Sequence, residues 1–598
     1  MSKNKALNIR YGEVVLFVMS MVNLLYMHYY VFYNQCMEVP MFVFSPILNV
    51  LSILIDISIF FLVFYSLSFR RFDLGLWLTY LFTLLWSFSN TFYCRFFSHY
   101  LSLSAIGQAG SLTEGLVVKS MVGGFQYWDF FYVFSFICVL FYCCFSHHRL
   151  RKVVLHTNLA RLLLTLICFP IFASATIYTA YHFIKPSTRN NTELYFSNLA
   201  LFTIGSESGR RAVPNLYMYH DGCVRSICSE EYGNLFPVVL SDEERKRIRD
   251  YYINRNLRIS DRAITDSTKI KNVVFILLES FLSISSDLVI DGKRITPFLD
   301  SLKHSKDVYY NGHVRPNITV GESGDGQFIY LTGLLPTRSQ LVLAEASDNV
   351  LPALPFVLKT YRGIANSEVI IPTVPKVWKQ DDMNIAYGFS KLYCYYDVYN
   401  TTENTIFLCL NDEEIFNLAI SSLSKVSKPF FSLILSASTH MPYNSQIDKE
   451  FILEDSHYSD EFLNYLNACH YTDENLKLFF DKLKEMNLFD ETLFFIMADH
   501  HAHTDALNMS GKISADIPLY IINGGFEKSE AYDGPCNQLD VYTTLLDILN
   551  LQCKWRGLGH TLLRKDYSNS VTPETYSISE QIVFGDYFRD EKSVGNPF

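Results

Sequence analysis

The chain has 598 residues, of which 49% are hydrophobic and 15% aromatic, enough for more than one domain and richer in aromatic side chains than an ordinary soluble enzyme. A net charge of -10 with no stripe of clustered Lys and Arg excludes nucleic acid as the main partner, because binding to a phosphate backbone depends on such clusters. The apolar excess lies mostly in the first third, so the chain faces two solvents.

Apolar runs at 12–33, 43–68, 73–93, 128–146 and 160–183 each come near the roughly 20 residues that span a bilayer as helix. Five in succession argue against buried core helices. The first lacks a small-residue cleavage site before the next begins, which argues against a removed signal. Basic residues favour the cytoplasmic side, and here they mark every second loop: Lys3, Lys5 and Arg10, then Arg70 and Arg71, then Arg149, Arg151 and Lys152. The alternate connections are poorer in basic charge, with Glu38 in the first and only Arg95 and Lys119 in the stretch 94–127. Residues 1–183 are therefore expected to form a transmembrane domain of five helices with a cytoplasmic N-terminus. An odd number of spans puts everything after about residue 184 outside.

Residues 184–267 read as a polar connector with a charged helical stretch near Ser241–Tyr252 and no catalytic cluster. Seven of the thirteen cysteines lie in the exported part, where disulfides persist; Cys223 with Cys228 and Cys394 with Cys409 could pair, or the thiols could be isolated and buried. From 268 to 598, apolar runs of strand length alternate with amphipathic helical stretches, the signature of an α/β domain with a mainly parallel sheet. The expected strands are Asn272–Leu278, Glu368–Ile371, Phe430–Ser436, Leu493–Met497 and Pro518–Ile522; the expected helices include Asp460–Met486 and Gln538–Leu549.

In open α/β sheets the working groups gather beyond the carboxyl ends of strands. Glu279 follows the first strand, His440 follows another in Ser-Thr-His-Met-Pro, and Asp499 and His500 end the run Phe-Phe-Ile-Met-Ala-Asp-His-His. Two carboxylates and an imidazole suit one divalent cation with mixed oxygen and nitrogen ligands, manganese or zinc first, magnesium next. The Gly-rich turn Gly321-Glu322-Ser323-Gly324-Asp325-Gly326 supplies a short hydroxyl on a backbone that can approach a phosphate closely. Coordination of Ser323 to a cation would lower its pKa and neutralise charge on the phosphoryl oxygens. Each piece alone has an ordinary structural explanation; their order along one exported domain is what points to a site.

These residues resemble the lipoteichoic acid synthase group of the alkaline phosphatase and sulfatase superfamily over nearly the whole chain. The resemblance rests on Asn272–Ser280 with Ile295-Thr296-Pro297-Phe298-Leu299, on Gly321–Phe328, on Thr439–Tyr443, on Ala498-Asp499-His500 and on Tyr93-Cys94-Arg95-Phe96-Phe97. It implies a sulfatase-like catalytic domain behind five spans in a bacterial cytoplasmic membrane. It further implies Glu279, Ser323, Asp499 and His500 around the cation, Ser323 as nucleophile, His440 on the substrate phosphate or the leaving oxygen, and Trp378 with Lys379 at the substrate. Two departures stand out. The synthases usually have threonine where this chain has Ser323, with Thr319 a nearby second candidate, and Gln380 stands where the family has an arginine, which leaves Lys379 to supply charge without a bidentate fork. A formylglycine-forming signal is missing around Ser323, which disfavours sulfate-ester hydrolysis, while His501 and His503 offer ligands for a second ion.

The expected activity is transfer of a phosphoglycerol-type head group from a phospholipid to a glycolipid, glycan or polymer through a phosphoserine-type intermediate. Phosphoethanolamine transfer, ester hydrolysis and a non-catalytic scaffold are the competing readings.

Overall fold

The structure is a computed structural model that describes residues 11–36, 46–69, 71–97, 100–101, 125–145, 218, 222–224, 226–227, 238–255, 269–290, 292–338, 341–375, 379–399, 409–441, 443, 457–504, 507, 509, 511–526 and 531–589. These fall into two compact units, one ending at 227 and one beginning at 238.

The first unit is helical: α1 (Tyr11–Cys36), α2 (Pro46–Leu67), α3 (Phe72–Phe97) and α4 (Phe130–Phe145). Where five spans are expected, two helices among the described residues, over Glu13–Val31 and Asn49–Leu67, are long and apolar enough to cross a bilayer. Helix α3 has the length, but Thr79, Thr83, Ser87, Asn90, Thr91 and Arg95 dilute its apolar character. Helix α4 is strongly apolar but only 16 residues long, and the run 160–183 lies outside the described residues. The polar groups of α3 turn inward. Thr91 Oγ1 meets Tyr132 Oη at 2.6 Å, Tyr80 Oη meets Ser135 Oγ at 3.2 Å, and Arg95 forms a two-pronged pair with Asp129 at 2.7 and 2.9 Å. The outward face of α4 carries exposed Phe130, Val133, Phe134, Ile137 and Phe141.

The second unit is an α/β domain. An eight-stranded sheet runs in the order β10-β4-β9-β8-β1-β7-β5-β6. The strands are β1 (Asn272–Leu278), β4 (Val308–Arg315), β5 (Asn366–Ile370), β6 (Lys391–Tyr393), β7 (Phe430–Leu435), β8 (Thr492–Ala498), β9 (Ile517–Ile522) and β10 (Cys536–Asn537), and a separate hairpin pairs β2 (Val289–Ile290) with β3 (Lys293–Arg294). Five adjacent strands from β8 to β6 are parallel; β9 is antiparallel to both of its neighbours. Every residue of β1, β7 and β8 is buried, as expected of central parallel strands covered by helices on both faces.

The five expected strands and the two helices, α9 (Asp460–Glu485) and α10 (Asp540–Ile548), form within a residue or two of their expected bounds, and α5 (Asp242–Arg255) runs three residues past its expected end; α6 (Pro297–His304), α7 (Ser323–Thr332) and α8 (Asp412–Leu423) complete the elements that frame the site. Helix α5 packs Ile248 and Tyr252 into the core of this domain, so the end of the expected connector belongs with the sheet. Of the two readings open for Cys394 and Cys409, the pairing does not form: Cys394 stands at the start of the short helix Tyr395–Val398 and the Cys409 thiol is directed at the Leu410 carbonyl. Cys223 forms no disulfide among the described residues, and Cys228 lies outside them.

Candidate functional site

The ends of β1, β7 and β8 are stitched together before any reactive group is placed. Asp499 N donates to Leu278 O at 3.1 Å, Ser436 N donates to Leu277 O at 2.9 Å, and Glu279 N donates to Ser436 Oγ at 2.9 Å. Thr439 Oγ1 closes the set on Glu279 O. Glu279 and Asp499 thus leave adjacent strands side by side, as the sheet topology requires of residues immediately beyond paired parallel strands.

Ser323 is the first residue of α7, delivered by a strained turn in which Glu322 takes φ 44°, a rare conformation for a residue with a side chain. Two features force that path. Asp325 Oδ2 accepts from Thr319 N at 2.7 Å, Thr319 Oγ1 at 2.9 Å and Gly321 N at 3.0 Å, folding the turn over the start of the helix. Gly326 lies so close to the Asp499 segment that a Cβ there would stand 2.3 Å from Asp499 O. The helix therefore abuts backbone against backbone where β8 ends.

The result brings four of the expected residues together. Ser323 Oγ donates to Glu279 Oε2 at 3.0 Å and stands 3.3 Å from His500 Nε2. His500 Nε2 is 3.3 Å from Glu279 Oε1 and 3.9 Å from Asp499 Oδ1. One donor atom from each of Glu279, Asp499 and His500 lies within 4.8 Å of the others, and all three residues are buried. Thr319, the second candidate hydroxyl, faces Asp325 and the Thr337 carbonyl instead.

His440 is held at the turn after β7. Asp412, at the start of α8, accepts from Ala437 N at 2.8 Å and Ser438 N at 3.0 Å, and His440 Nδ1 faces Met441 O at 2.7 Å. A carbonyl as partner requires that Nδ1 carry a proton there. Lys379 stands in a left-handed conformation ahead of the helix Gln380–Tyr387, and Gln380 is buried. The described hydrogen bonds and ion pairs do not join Lys379 to the Ser323 cluster, and Trp378 lies outside the described residues.

Two residues that the sequence reading left without a role belong to the cluster. Ser280, at φ 49°, donates its Oγ to Glu279 Oε1 at 2.7 Å and its N to Asp499 Oδ1 at 2.9 Å. Glu322 is a third carboxylate: Oε2 is 3.3 Å from His500 Nδ1 and Oε1 is 3.7 Å from His503 Nε2. Both sit inside quoted motifs, next to Glu279 and Ser323; the signal was an acidic or hydroxyl residue beside a chemical one on a turn.

Electrostatics follow from crowding three acids in a dry site. Burial, reinforced by neighbouring acids, pushes Asp499 up to about 7 and Glu322 up to about 8, against the pull of His500. Burial acts the same way on Glu279 but is outweighed by His500 and His440, which leave it below the ordinary glutamate range. Burial disfavours charge on His500 as well, yet Asp499, Glu279 and Glu322 hold its pKa well above the ordinary value. His501 and His503 go the other way, down to about 4 and about 3, by burial and by the charge of His500. The cluster thus crowds three carboxylates around one point beside the His500 imidazole. Its donor set of carboxylate, carboxylate and imidazole, beside a hydroxyl, fits a divalent cation.

Residues 271–551 match the sulfatase family, and residues 1–193 match the lipoteichoic acid synthase N-terminal domain. The chain is similar to a lipoteichoic acid synthase of Staphylococcus saprophyticus, at 23% identity over 510 residues covering 81% of this chain and 74% of the relative. It is also similar to lipoteichoic acid synthase 2 of Bacillus subtilis, at 26% identity covering 54% of this chain and 51% of the relative. Among solved structures it aligns with a lipooligosaccharide phosphoethanolamine transferase from Neisseria meningitidis (TM-score 0.49, 13% identity, 90% of this chain and 95% of that one). It also aligns with a lipoteichoic acid synthase from Listeria monocytogenes (TM-score 0.44, 19% identity, 58% and 97%).

Proposed function

We propose that the chain is a lipoteichoic acid synthase-like enzyme that moves a phosphoglycerol-type head group from a phospholipid to a glycolipid, glycan or polymer hydroxyl outside the cytoplasm. The observation that carries this reading is the position of Ser323 Oγ, 3.0 Å from Glu279 and 3.3 Å from His500 at the meeting point of three strand ends.

In this account Glu279, Asp499, His500 and Ser323 hold one divalent cation, manganese or zinc. The bound ion supplies Lewis acidity at the phosphoryl oxygens and stabilises the ionised serine. Ser323 Oγ attacks the head-group phosphorus, the bond from phosphorus to the diacylglycerol oxygen breaks, and His440 Nε2 gives that oxygen its proton. The acceptor hydroxyl then attacks the phosphoserine, passing its proton to His440, and Ser323 leaves. Trp378 and Lys379 are assigned to the substrate side.

The five-span topology belongs to this proposal: an N-terminus inside, residues 1–183 in the membrane, a connector over 184–267 and a catalytic domain over 268–598 outside. Exposed aromatic and branched side chains on α4 support a lipid-facing helix despite its length. Anchoring keeps the domain beside donors in the outward leaflet. The buried Gln380 in place of an arginine keeps phosphoethanolamine open as the head group.

The test is lipid mass spectrometry on the purified full chain and on Ser323→Ala, with phosphatidylglycerol and phosphatidylethanolamine offered separately with a glycolipid acceptor. The wild type is expected to release diacylglycerol from phosphatidylglycerol and the variant to release none. Equal consumption by the two proteins would remove Ser323 from the chemistry, and release only from phosphatidylethanolamine would reassign the head group.

A further inference from the structure

The helical unit carries a second cluster of metal-ligating side chains, which the transfer reaction does not use. His28 on α1, Asp56 on α2 and Cys223, which follows the membrane helices in sequence, are all buried, and one donor atom from each lies within 4.8 Å of the others. Cys223 Sγ is 3.5 Å from His28 Nε2. A tetrahedral zinc with Zn–S of about 2.3 Å and Zn–N of about 2.0 Å sets its sulfur and nitrogen about 3.5 Å apart.

The surroundings favour an ion over a bare thiol. Asn49 Nδ2 lies 2.8 Å from His28 Nδ1 and orients the ring so that its Nε2 faces the sulfur. Asp56 accepts from Cys223 N at 2.6 Å and Val224 N at 3.1 Å, which seats the carboxylate against the start of the Cys223 turn. Gly222, at φ 86°, permits that approach, since a Cβ there would stand 2.6 Å from Asp56 Oδ2. A thiolate, a carboxylate, a neutral imidazole and a dication sum to zero charge.

We propose that His28, Asp56 and Cys223 hold a divalent cation of the zinc class, which fastens the segment carrying Cys223 onto α1 and α2. The site is separate in chemistry from the Glu279 cluster, which contains no sulfur, and it does not rest on the transferase reading.

The experiment loads the full chain, purified in detergent, with Co²⁺ and records the thiolate-to-cobalt charge-transfer absorption together with the metal content. The band is expected in the wild type and in Glu279→Ala and is expected to be absent from Cys223→Ser, which should also carry one ion fewer than the wild type. If Cys223→Ser is not recovered folded, His28→Gln keeps the thiol and is expected to weaken cobalt binding about tenfold or more. A wild type without the band, a band that survives in Cys223→Ser, or unchanged affinity in His28→Gln would overturn the proposal and leave a purely hydrogen-bonded cluster.

Discussion

Asp325 shows how much of the candidate site is made by side chains that never touch substrate. Its Oδ2 gathers three donors from Thr319 and Gly321 and so shapes the turn that presents Ser323. Asp325→Asn removes the charge and one acceptor geometry while keeping the volume. It is predicted to leave the fold intact by circular dichroism and to lower transfer by roughly 10- to 100-fold, the usual effect of losing a support behind a metal ligand. Removing the hydroxyl itself is predicted to be far more severe: Ser323→Ala should fall by on the order of 10³-fold or more, while Ser323→Thr, which keeps a hydroxyl at the same place, should retain measurable activity. Glu279, Ser323, Asp499 and His500 were legible because each follows an apolar strand or sits on a Gly-rich turn. Ser280 and Glu322, beside them in the chain, were not, because a sequence does not show which way a side chain leaves a turn with positive φ; Asp325 folds back from the first turn of its helix, which the sequence does not show either.

Among the elements, the strands that could be read were those buried on both faces. Asn272–Leu278, Phe430–Leu435 and Thr492–Ala498 are continuous apolar runs, and they form the centre of the sheet. Strand β4 escaped notice because Val-Tyr-Tyr-Asn-Gly-His-Val-Arg has no clean period and its register shifts between Asn311 and Val314. The antiparallel course of β9 is likewise a matter of connection rather than composition. Two predictions belong here. Gly326→Ala would press a methyl group onto Asp499 O, so it should destabilise the domain by about 1–3 kcal/mol and displace Ser323, read as a lower Tm with loss of transfer. At the open end of the sheet, Glu491 pairs with Lys271 at 2.6 Å and Lys428 at 2.9 Å, and those two lysines draw its carboxyl down to about 2. A depressed carboxylate contributes stability above its unfolded pKa and loses it as pH falls through the folded value. The Tm deficit of Glu491→Gln should therefore be present at pH 6 and narrow as pH drops from about 4.5 toward 2.

At the level of the whole molecule, the division into a helical unit and an α/β unit was visible as a change of composition, and the charge alternation of the loops gave an orientation. The number of spans was less secure in the residues themselves: α3 hides its polar groups inside the bundle, and α4 is short yet apolar on its outer face. The topology predicts that a cysteine introduced at exposed Lys306 reacts with a membrane-impermeant maleimide in intact spheroplasts, above the background of the parent chain. Labelling only after lysis would place the domain inside. Whether Ser323 carries the head group covalently is read by quenching a single turnover with phosphatidylglycerol in the absence of acceptor, then sequencing the peptides by mass spectrometry. A phosphoglycerol adduct on Ser323 that disappears when acceptor is added is expected; diacylglycerol release with no adduct, or an adduct on Thr319, would rule covalent transfer through Ser323 out.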